Sequence, residues 1–567
     1  MKPAPRPRRP PYWALLALAG LLVLPVTGVL VVSVAAVAIS GIAAAVRRSA
    51  ARRSAAAEDA AARGQGAVVL GADDRGRPVA LTEPQLAAHG LIVGASGAGK
   101  STTLLAILED RIRAGGPVVA IDLKGSPGFA GRLQRAAQVA GRPFTLWTPD
   151  GPGNWNPLAH GNATVLKDKL IGAERFSEPH YMRAAERYLQ TVFRVLQAAA
   201  PDHAPRLDQV VALMEPRRLS GMLRQLEAPL AEQVLDYLGG MTPDQLSAVR
   251  GLGTRLALLT ESAAGPHLLP ATGAGHTIDL RHALQGPEVV VFSLNSSLYG
   301  KLAAQLGTLA IQDLTAAVGR RQALTGQRRP PQAMIAVDEF SALGADNLLA
   351  LLARGRDAGA SVLVATQELT DLDRAAPGFR EQVLGIISVK IAHRQDVPAS
   401  ARLIADMIGT EPVWEETRNM QSPFGRRTSS LGTRREVERF VVHPNEIKSL
   451  PTGEAVLITK TPRSGVTRVR VTPPPDAPGA AAQGAAQAEP DAPGLAAARA
   501  AQAEPAAPRA APAERASSAP VPRVRGSDPP APSPPHSPAP SRPAAGPRPA
   551  FSGRALPPPR DAPDAGR

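Results

Sequence analysis

The chain has 567 residues, which exceeds what one hydrophobic core usually supports, so two or more domains are expected. It contains no cysteine, which excludes disulfides, zinc–thiolate sites and cysteine nucleophiles. Its formal net charge of +15 favours polyanionic partners, either nucleic acid or anionic lipid, although part of this charge lies in Pro-rich ends.

The N-terminal segment carries a long uncharged run. No charged residue occurs from Tyr12 to Val46, which is more than the roughly 20 residues that one membrane span needs and too long for a cleaved signal peptide. The turn signal Pro25–Gly28 divides the run. Because arginines flank both ends, we expect both on the cytoplasmic side of the cell membrane. We predict a membrane anchor over 1–48, as a tight two-helix hairpin or one long kinked span, and a linker over 49–65.

An α/β pattern follows this linker. Several apolar runs are continuous and alternate with helical patterns, which is typical of a parallel sheet with helices on both faces. We therefore predict that 66–164 is the first part of a doubly wound α/β domain. Its strands are expected at 67–71, 78–81, 91–93, 118–122 and 144–147.

The next segment, 165–285, changes character. Its apolar residues recur at helical spacing and no strand is expected, so we predict an all-α insertion. Its helices are expected at 183–197, 207–214, 222–238 and 246–259. The α/β pattern then resumes over 286–470. There we predict helices at 302–320 and 348–356, and strands at 289–294, 334–339, 361–367, 386–392, 440–442 and 454–458.

The last segment has a different composition. Beyond about residue 473 the chain consists mainly of Ala, Pro, Gly, Arg and Ser, with almost no aliphatic bulk. Such a composition cannot bury enough apolar surface to fold, so 471–567 is predicted to be a disordered, basic tail. This tail could contact DNA, lipid or a protein, or it could be inert.

The residues after the strand at 91–93 have the pattern G-x-x-x-x-G-K-S of a P-loop. Its glycines let the backbone turn its amide groups toward phosphate oxygens, and the helix behind the loop adds partial positive charge. Lys100 is expected to reach the β- and γ-phosphates of ATP, and the Ser101 hydroxyl is expected to bind Mg²⁺. The predicted ATP-binding residues are Gly94, Ala95, Ser96, Gly97, Ala98, Gly99, Lys100, Ser101 and Thr102.

Two later strands end in polar residues that would complete such a site. The apolar run 334–337 leads into Asp338 and Glu339, the Walker B pattern. Asp338 is predicted to hold the Mg²⁺ shell, and Glu339 is predicted to polarise the attacking water. Without the P-loop, a buried strand ending in solvated acids would explain the same residues. The strand at 361–367 ends in Gln367, which either senses the γ-phosphate or merely caps the strand.

Six segments of the chain carry a resemblance to one family. These segments are 89–101, 121–125, 154–158, 336–340, 354–359 and 365–367. Over about 66–470 the chain resembles the TraG/TraD-like coupling proteins of type IV secretion and conjugation, within the FtsK/HerA class of P-loop motors. The order of the parts is also similar: a membrane anchor, an α/β motor, an all-α insertion and the second half of the motor.

The resemblance implies a homo-hexameric ring ATPase at the inner membrane, with its motor in the cytoplasm and its nucleotide sites between subunits. It implies that the ring receives relaxase-bound DNA and passes it to secretion channel proteins. By the family pattern, Arg356 would be the catalytic arginine supplied to the neighbour's γ-phosphate, whereas the residues alone fit a solvated helix face. Lys124 fits a turn cap. The anchor departs from the family, because it leaves no room for the usual external domain between two spans.

The predicted fold is α/β: a RecA-like, doubly wound P-loop NTPase domain with an all-α insertion, N-terminal transmembrane helices and a disordered tail. The predicted function is an ATP-driven DNA translocase that hydrolyses ATP to ADP and phosphate as a conjugative coupling protein. Two alternatives stay open. One is an FtsK-like segregation pump, against which the element at 156–158 and the insertion count. The other is a receptor for secreted proteins, in which the ATPase only gates assembly.

Overall fold

The computed structural model describes residues 66–174, 176, 178–273, 275–324, 331–418 and 432–473. The predicted anchor at 1–48, the linker at 49–65 and nearly all of the predicted tail at 471–567 lie outside these residues. Among the residues that are described, no helix is both long and apolar enough to cross a membrane.

An eleven-stranded sheet organises this part of the chain. Seven neighbouring strands, from Val389–Ala392 to Phe144–Trp147 in the order below, run parallel, and four antiparallel strands extend the sheet beyond Val389–Ala392. In spatial order the strands are β2 (Pro78–Leu81), β1 (Val68–Ala72), β15 (Gly465–Val471), β14 (Glu454–Thr459), β11 (Val389–Ala392), β3 (Gly90–Val93), β10 (Ala360–Thr366), β9 (Ala333–Asp338), β4 (Val118–Asp122), β8 (Val289–Ser293) and β5 (Phe144–Trp147).

Helices pack on both faces of this sheet. Alternate residues of β4 enter opposite cores: Val118 and Ala120 face one, and Val119 and Ile121 face the other. This two-sided burial explains why the central strands are continuously apolar rather than alternating, and it confirms the predicted α/β P-loop fold. In chain order the helices are α1 (Glu83–Ala87), α2 (Lys100–Arg113), α3 (Pro127–Val139), α4 (Ala163–Gly172), α5 (Pro179–Ala199), α6 (Leu207–Leu213), α7 (Pro216–Met222), α8 (Ala228–Gly239), α9 (Pro243–Thr260), α10 (Leu280–Ala283), α11 (Ser296–Tyr299), α12 (Lys301–Leu324), α13 (Ala345–Gly355), α14 (Thr370–Ala375), α15 (Phe379–Ile386), α16 (Pro398–Ile408) and α17 (Pro444–Lys448).

The segment predicted as an all-α insertion is mainly helical, with two departures. The single helix expected at 222–238 is wrong, because a 3₁₀ turn at Leu223–Gln225 separates α7 from α8. Pro229 explains the break, since proline lacks an amide hydrogen and its ring clashes with the carbonyl four residues earlier. The segment also contains the short strand β7 (Thr277–Ile278), where no strand was expected; it pairs with β6 (Asn154–Trp155).

The connection to this helical segment is built around Trp155 and Asp313. The indole of Trp155 packs edge-on against Trp147 and Phe292, and its Nε1 donates to Asp313 Oδ2 at 2.9 Å. The buried Lys169 on α4 donates to Asp313 Oδ1 at 2.7 Å. A buried ion pair with several hydrogen bonds is costly to break, so these contacts fix the insertion against the edge of the sheet.

A two-stranded ribbon lies apart from the main sheet, formed by β12 (Thr410–Arg418) and β13 (Gly432–Phe440). The strand predicted at 440–442 is therefore wrong except for Phe440. The ribbon is rich in charge, and its cross-strand pairs include Glu411 with Arg439 and Glu415 with Arg435. Opposite charges across a ladder stabilise exposed strands, but they do not produce the apolar pattern from which strands are predicted.

Candidate nucleotide-binding site

The P-loop connects β3 to α2, as the sequence predicted. Gly99 has φ +118, in the left-handed region that favours glycine, and it forms the N-cap of α2. At Gly94 a side chain has no room, because a Cβ there would lie 2.6 Å from the Cβ of His393. The loop is therefore pressed against a second segment of the chain, the residues that follow β11.

Lys100 is the first residue of α2 and is buried. Its Nζ donates to the carbonyl oxygens of Gly94 at 2.6 Å and of Ala95 at 3.2 Å. Burial, followed by the charge of Lys124, lowers its pKa. The ammonium group is thus held inside the curve of the loop, within reach of phosphate oxygens bound there.

His393 supports the P-loop, a role that no sequence pattern predicted. Its ring is fully buried; Nδ1 donates to the Glu454 carbonyl at 2.9 Å, and Nε2 accepts from the Thr103 hydroxyl at 2.9 Å. Burial lowers its pKa to about 4, so the ring is neutral at physiological pH. The ring ties α2 to the first residue of β14. Thr103 and His393 are 290 residues apart, so no local motif could reveal the contact.

Backbone hydrogen bonds hold the loop from two sides. The amide of Ala95 donates to the Arg394 carbonyl at 2.8 Å, and the amide of Gly453 donates to the Ala98 carbonyl at 3.0 Å. These partners follow β11 and precede β14, strands that lie on the side of β3 away from β9. The shape of the P-loop therefore depends on the chain that follows β11 and precedes β14 as well as on its own glycines.

Asp338 ends strand β9, and Glu339 follows directly after the strand rather than ending it as predicted. Asp338 is buried, and burial raises its pKa, although the nearby Lys124 opposes this shift. Glu339 has φ +58, a conformation that is uncommon for a residue with a side chain. Such backbone strain tends to occur at functional sites, where it aims a side chain. Here it turns the Glu339 carboxylate toward the residues that follow β10.

Gln367 meets Glu339 at the edge of the sheet. Strand β10 lies between β3 and β9, so its last residues stand between the P-loop and the Walker B acids. Gln367 Nε2 donates to Glu339 Oε1 at 2.8 Å. The structure thus brings together Lys100, Glu339 and Gln367 at one edge of the sheet, which capping of a strand alone would not require.

Lys124 does more than cap a turn, the role considered from the sequence. Its backbone amide does belong to a turn, in which it donates to Asp122 Oδ1 at 2.9 Å. Its Nζ, however, lies 2.9 Å from Glu339 Oε1 and 3.4 Å from Asp338 Oδ2. Although burial alone would lower the pKa of Lys124, the two carboxylates raise it. Lys124 is therefore a charged partner of both Walker B acids.

The oxygen donors predicted for Mg²⁺ share one cavity. Ser101 and Asp338 line a space of about 370 Å³ beside Lys124; Asp122, which was not among the predicted ligands, also lines it. Within the described part of the chain, no cluster of three or more His, Asp or Glu side chains could hold a metal unaided. Mg²⁺ in nucleotide sites usually has one or two protein oxygens, with phosphates and waters as its other ligands. The Ser101 hydroxyl and the Asp338 carboxylate fit that requirement.

Arg356 is remote from this group. It is exposed and follows α13, which ends beside the amino end of β3, whereas the P-loop follows the carboxyl end. From residue 89 to residue 94, an extended chain covers about 16 Å. The predicted catalytic arginine therefore does not lie at the P-loop of its own chain.

Two family models match the sequence. The model described as the TraM recognition site of TraD and TraG matches residues 332–452, which include the Walker B strand and the charged ribbon. The FtsK/SpoIIIE family model matches residues 50–109, which include the P-loop. A comparison with curated proteins gives no match.

Solved structures of a conjugative coupling protein share the fold. The bacterial conjugative coupling protein TrwBdeltaN70, in an unbound form, is 15% identical with a TM-score of 0.54; the match covers 72% of this chain and 89% of that one. The plasmid coupling protein TrwB in complex with ADP and Mg²⁺ is 15% identical with a TM-score of 0.52, over 70% and 88% of the two chains. TrwB with a non-hydrolysable ATP analogue gives 16% and 0.51, over 70% and 88%.

These matches test two predictions made from the sequence, the cofactors and the family resemblance. ATP and Mg²⁺, the predicted cofactors, agree with the TrwB structures, which hold ADP with Mg²⁺ or an ATP analogue. The family matches and the shared fold confirm that the chain is similar to the TraG/TraD-like coupling proteins of the FtsK/HerA class, as its motifs predicted.

Proposed function

We propose that the chain is a membrane-anchored, ATP-driven DNA translocase that acts as a coupling protein in type IV secretion or conjugation. It works as a homo-hexameric ring at the inner membrane, with its motor in the cytoplasm. The observation that carries this proposal is the convergence of Lys100, Glu339 and Gln367 at the carboxyl edge of a sheet with the TrwB fold.

The reaction is the hydrolysis of ATP to ADP and phosphate. A water oxygen bonds to the γ-phosphorus as the bond to the bridging oxygen breaks. Glu339 orients this water and accepts its proton, while Gln367 holds the carboxylate in position through the bond at 2.8 Å. Lys100 neutralises the charge that develops on the phosphoryl oxygens.

Lys124 regulates the availability of Glu339 in this scheme. Its ammonium group lies against the same carboxylate oxygen that accepts from Gln367. Lys124 therefore competes with the attacking water for this oxygen, and the negative charge of a γ-phosphate nearby would attract Lys124 away from it. When bound, Mg²⁺ neutralises charge on the β- and γ-phosphate oxygens, and Ser101 and Asp338 are the residues that would hold it.

Arg356 acts in the neighbouring subunit under this proposal. Its distance from its own P-loop supports action in trans, because the arginine of an exposed helix end is available to a second copy of the chain. A head-to-tail contact of this kind generates a closed ring when its rotation closes. Hydrolysis then requires assembly, which is the reason for proposing a ring rather than a monomer.

Partners follow from the family descriptions. The match to the TraM recognition site of TraD and TraG favours a partner that belongs to a DNA-bound relaxase complex. We propose that the ring passes such DNA to the secretion channel proteins. The net charge of +15 is compatible with DNA or with anionic lipid at the membrane.

A second candidate is an FtsK-like pump for segregating double-stranded DNA. The match of the FtsK/SpoIIIE model to residues 50–109 favours it. That segment, however, contains the P-loop, which both classes of motor share.

The test uses the full-length protein in detergent, so that the anchor is retained. ATP hydrolysis is measured without DNA, with single-stranded DNA and with double-stranded DNA, beside the variants Lys100→Ala and Glu339→Gln. The proposal predicts DNA stimulation that both variants abolish. A strong preference for double strands would favour the FtsK-like alternative, and hydrolysis indifferent to DNA would overturn the translocase proposal in favour of a protein receptor.

A further inference from the structure

His89 is a buried imidazole that the reaction scheme above does not use. It lies at the amino end of β3, and its side chain is 1% exposed. Its backbone has φ +63, in the left-handed region that few residues with a side chain adopt. A residue kept in this conformation is held by its surroundings, and the ring contacts identify what holds it.

The ring of His89 bonds two neighbouring elements. Nδ1 accepts from the Val362 amide on β10 at 3.0 Å, and Nε2 donates to the Leu352 carbonyl on α13 at 2.8 Å. Because Nδ1 is an acceptor, the proton of the neutral ring is on Nε2. Burial lowers the pKa of His89 to about 4, so this tautomer persists at physiological pH.

The end of α13 packs directly on this ring. A Cβ at Gly355 would lie 3.1 Å from His89 Cε1 and 2.9 Å from the Ala360 carbonyl oxygen, so only glycine allows the approach. Arg356 is the next residue, and its charge, after burial, also lowers the pKa of His89. The backbone that packs on the ring is therefore the backbone that leads directly to the exposed Arg356.

One ring thus contacts three elements with functional ends. Strand β3 leads into the P-loop at Gly94, β10 leads to Gln367, and α13 ends at Arg356. A displacement of β3 or β10 when nucleotide binds would reach α13 through two short hydrogen bonds of a rigid ring. Coupling of this kind needs a contiguous set of packed contacts, which is present here.

We propose that His89 is a positioning residue that sets the orientation of Arg356 for a second copy of this chain. Through β3 and β10, it links that arginine to the state of the subunit's own P-loop. This inference rests on the proposed action of Arg356 in trans.

The experiment separates the two roles of a subunit by mixing variants. Full-length Lys100→Ala subunits supply Arg356 but lack a working P-loop, and full-length Arg356→Ala subunits do the reverse. The two are co-expressed with different tags and purified through both tags, so that every ring contains both kinds. ATP hydrolysis well above that of either variant alone shows that Arg356 acts across the interface.

His89→Asn is then placed in one kind of subunit at a time. Asparagine tolerates a positive φ, but its short amide cannot span both the Val362 amide and the Leu352 carbonyl. In the subunits that supply Arg356, the change is expected to reduce the restored hydrolysis about 100-fold, as misplacement of a catalytic group does. In the subunits that supply the P-loop, the change is expected to leave hydrolysis within about twofold of the restored rate, because their own Arg356 is already absent.

A matched control is Ser361→Ala. Its hydroxyl donates to the Leu86 carbonyl at 2.7 Å and accepts from Gln332 Nε2 at 2.7 Å, so these two bonds join the same strand β10 to the chain before β3 and before β9, and neither involves α13. This variant should leave hydrolysis similar in both placements. Binding of a fluorescent ATP analogue by the His89→Asn, Arg356→Ala subunits verifies that the substitution leaves the P-loop folded.

The outcomes distinguish the two proposals. If the Lys100→Ala and Arg356→Ala subunits do not restore each other, the trans arginine is wrong and the role of His89 fails with it. If they do restore each other but His89→Asn has equal effects in the two placements, or acts mainly in the subunit that supplies the P-loop, the positioning role is overturned while the ring mechanism stands.

Discussion

The two ends of strand β3 differ in how fully residues of the same subunit enclose the functional groups there. At the carboxyl end, the P-loop is enclosed by His393, the Arg394 carbonyl and the Gly453 amide of the same chain. At the amino end, His89 is buried in the same way, but Arg356 beside it is exposed. We infer from this difference that a subunit builds the binding half of its site and presents the arginine outward, so the proposed reaction requires a neighbour.

Replacing Arg356 is expected to have the largest effect on ATP hydrolysis, and it tests whether the amino end of β3 serves a neighbouring subunit. Arg356→Ala should reduce ATP hydrolysis by roughly 10³- to 10⁵-fold, the range typical of an arginine that stabilises the phosphoryl transition state. Nucleotide affinity should change little, because the carboxyl end is untouched. Steady-state hydrolysis and binding of a fluorescent ATP analogue measure the two quantities. Arg354→Ala, also exposed and in the last turn of the same helix, is the matched control; an equal loss there would show that the effect is general charge.

Glu339→Gln should disable catalysis at the carboxyl end of β3 itself. Hydrolysis is expected to fall by about 10²- to 10⁴-fold, since the amide cannot accept the proton of the attacking water. Nucleotide should still bind, because Lys100 and the P-loop remain. Single-turnover hydrolysis with pre-bound ATP separates these steps. Retention of most hydrolysis would mean that another group, and not Glu339, handles the water.

The two buried histidines predict a dependence of stability on pH. The folded-state pKa of His89 and of His393 is about 4, below the ordinary value of 6.5. Below pH 6.5 the unfolded chain therefore binds protons that the folded chain excludes. Their contribution is complete above pH 6.5 and is lost as the pH falls toward 4, by about 3 kcal/mol for each ring.

Urea denaturation of the full-length protein in detergent between pH 7 and pH 4 measures this dependence. The variant His393→Asn should show a weaker dependence than the parent, by about one ring's share. An unchanged slope would show that His393 does not stay neutral in the folded protein.

The smallest expected effect concerns the bond between Thr103 and His393. Thr103→Val keeps the shape but removes the donor to Nε2, which leaves a buried acceptor without its partner and costs about 1–3 kcal/mol of unfolding free energy. Thr103→Ser retains the hydroxyl and should stay close to the parent. Chemical denaturation of all three proteins gives the comparison, and equal stability of the Val and Ser variants would contradict the assigned bond.

The sequence predicted the parts of the site whose signals are local. The P-loop, Asp338 with Glu339, and Gln367 each follow an apolar run within a few residues, and the fold then brings the ends of parallel strands to one edge. His393 could not be found in this way, because its partners on α2 and at the start of β14 are distant in the chain. Lys124 was undervalued for the same reason, since its contact with Asp338 crosses 214 residues.

The fold itself was predictable where burial is two-sided. Continuous apolar strands such as β4 and β9 stand out, whereas the ribbon of β12 and β13 is stabilised by paired charges that resemble a loop pattern. Strand β15 was missed because four of its seven residues, Gly465, Thr467, Arg468 and Arg470, are not apolar. The helix predicted at 222–238 is broken because it contains Pro229, and the spacing of apolar residues takes no account of a proline.

The most direct test of the central claim measures ATP hydrolysis per subunit against protein concentration. Full-length protein in detergent is diluted, and mass photometry records its oligomeric state at each concentration. Because Arg356 does not lie at its own P-loop, we predict that hydrolysis per subunit falls as rings dissociate and is close to zero for monomers. Undiminished hydrolysis in samples that contain only monomers would contradict the account.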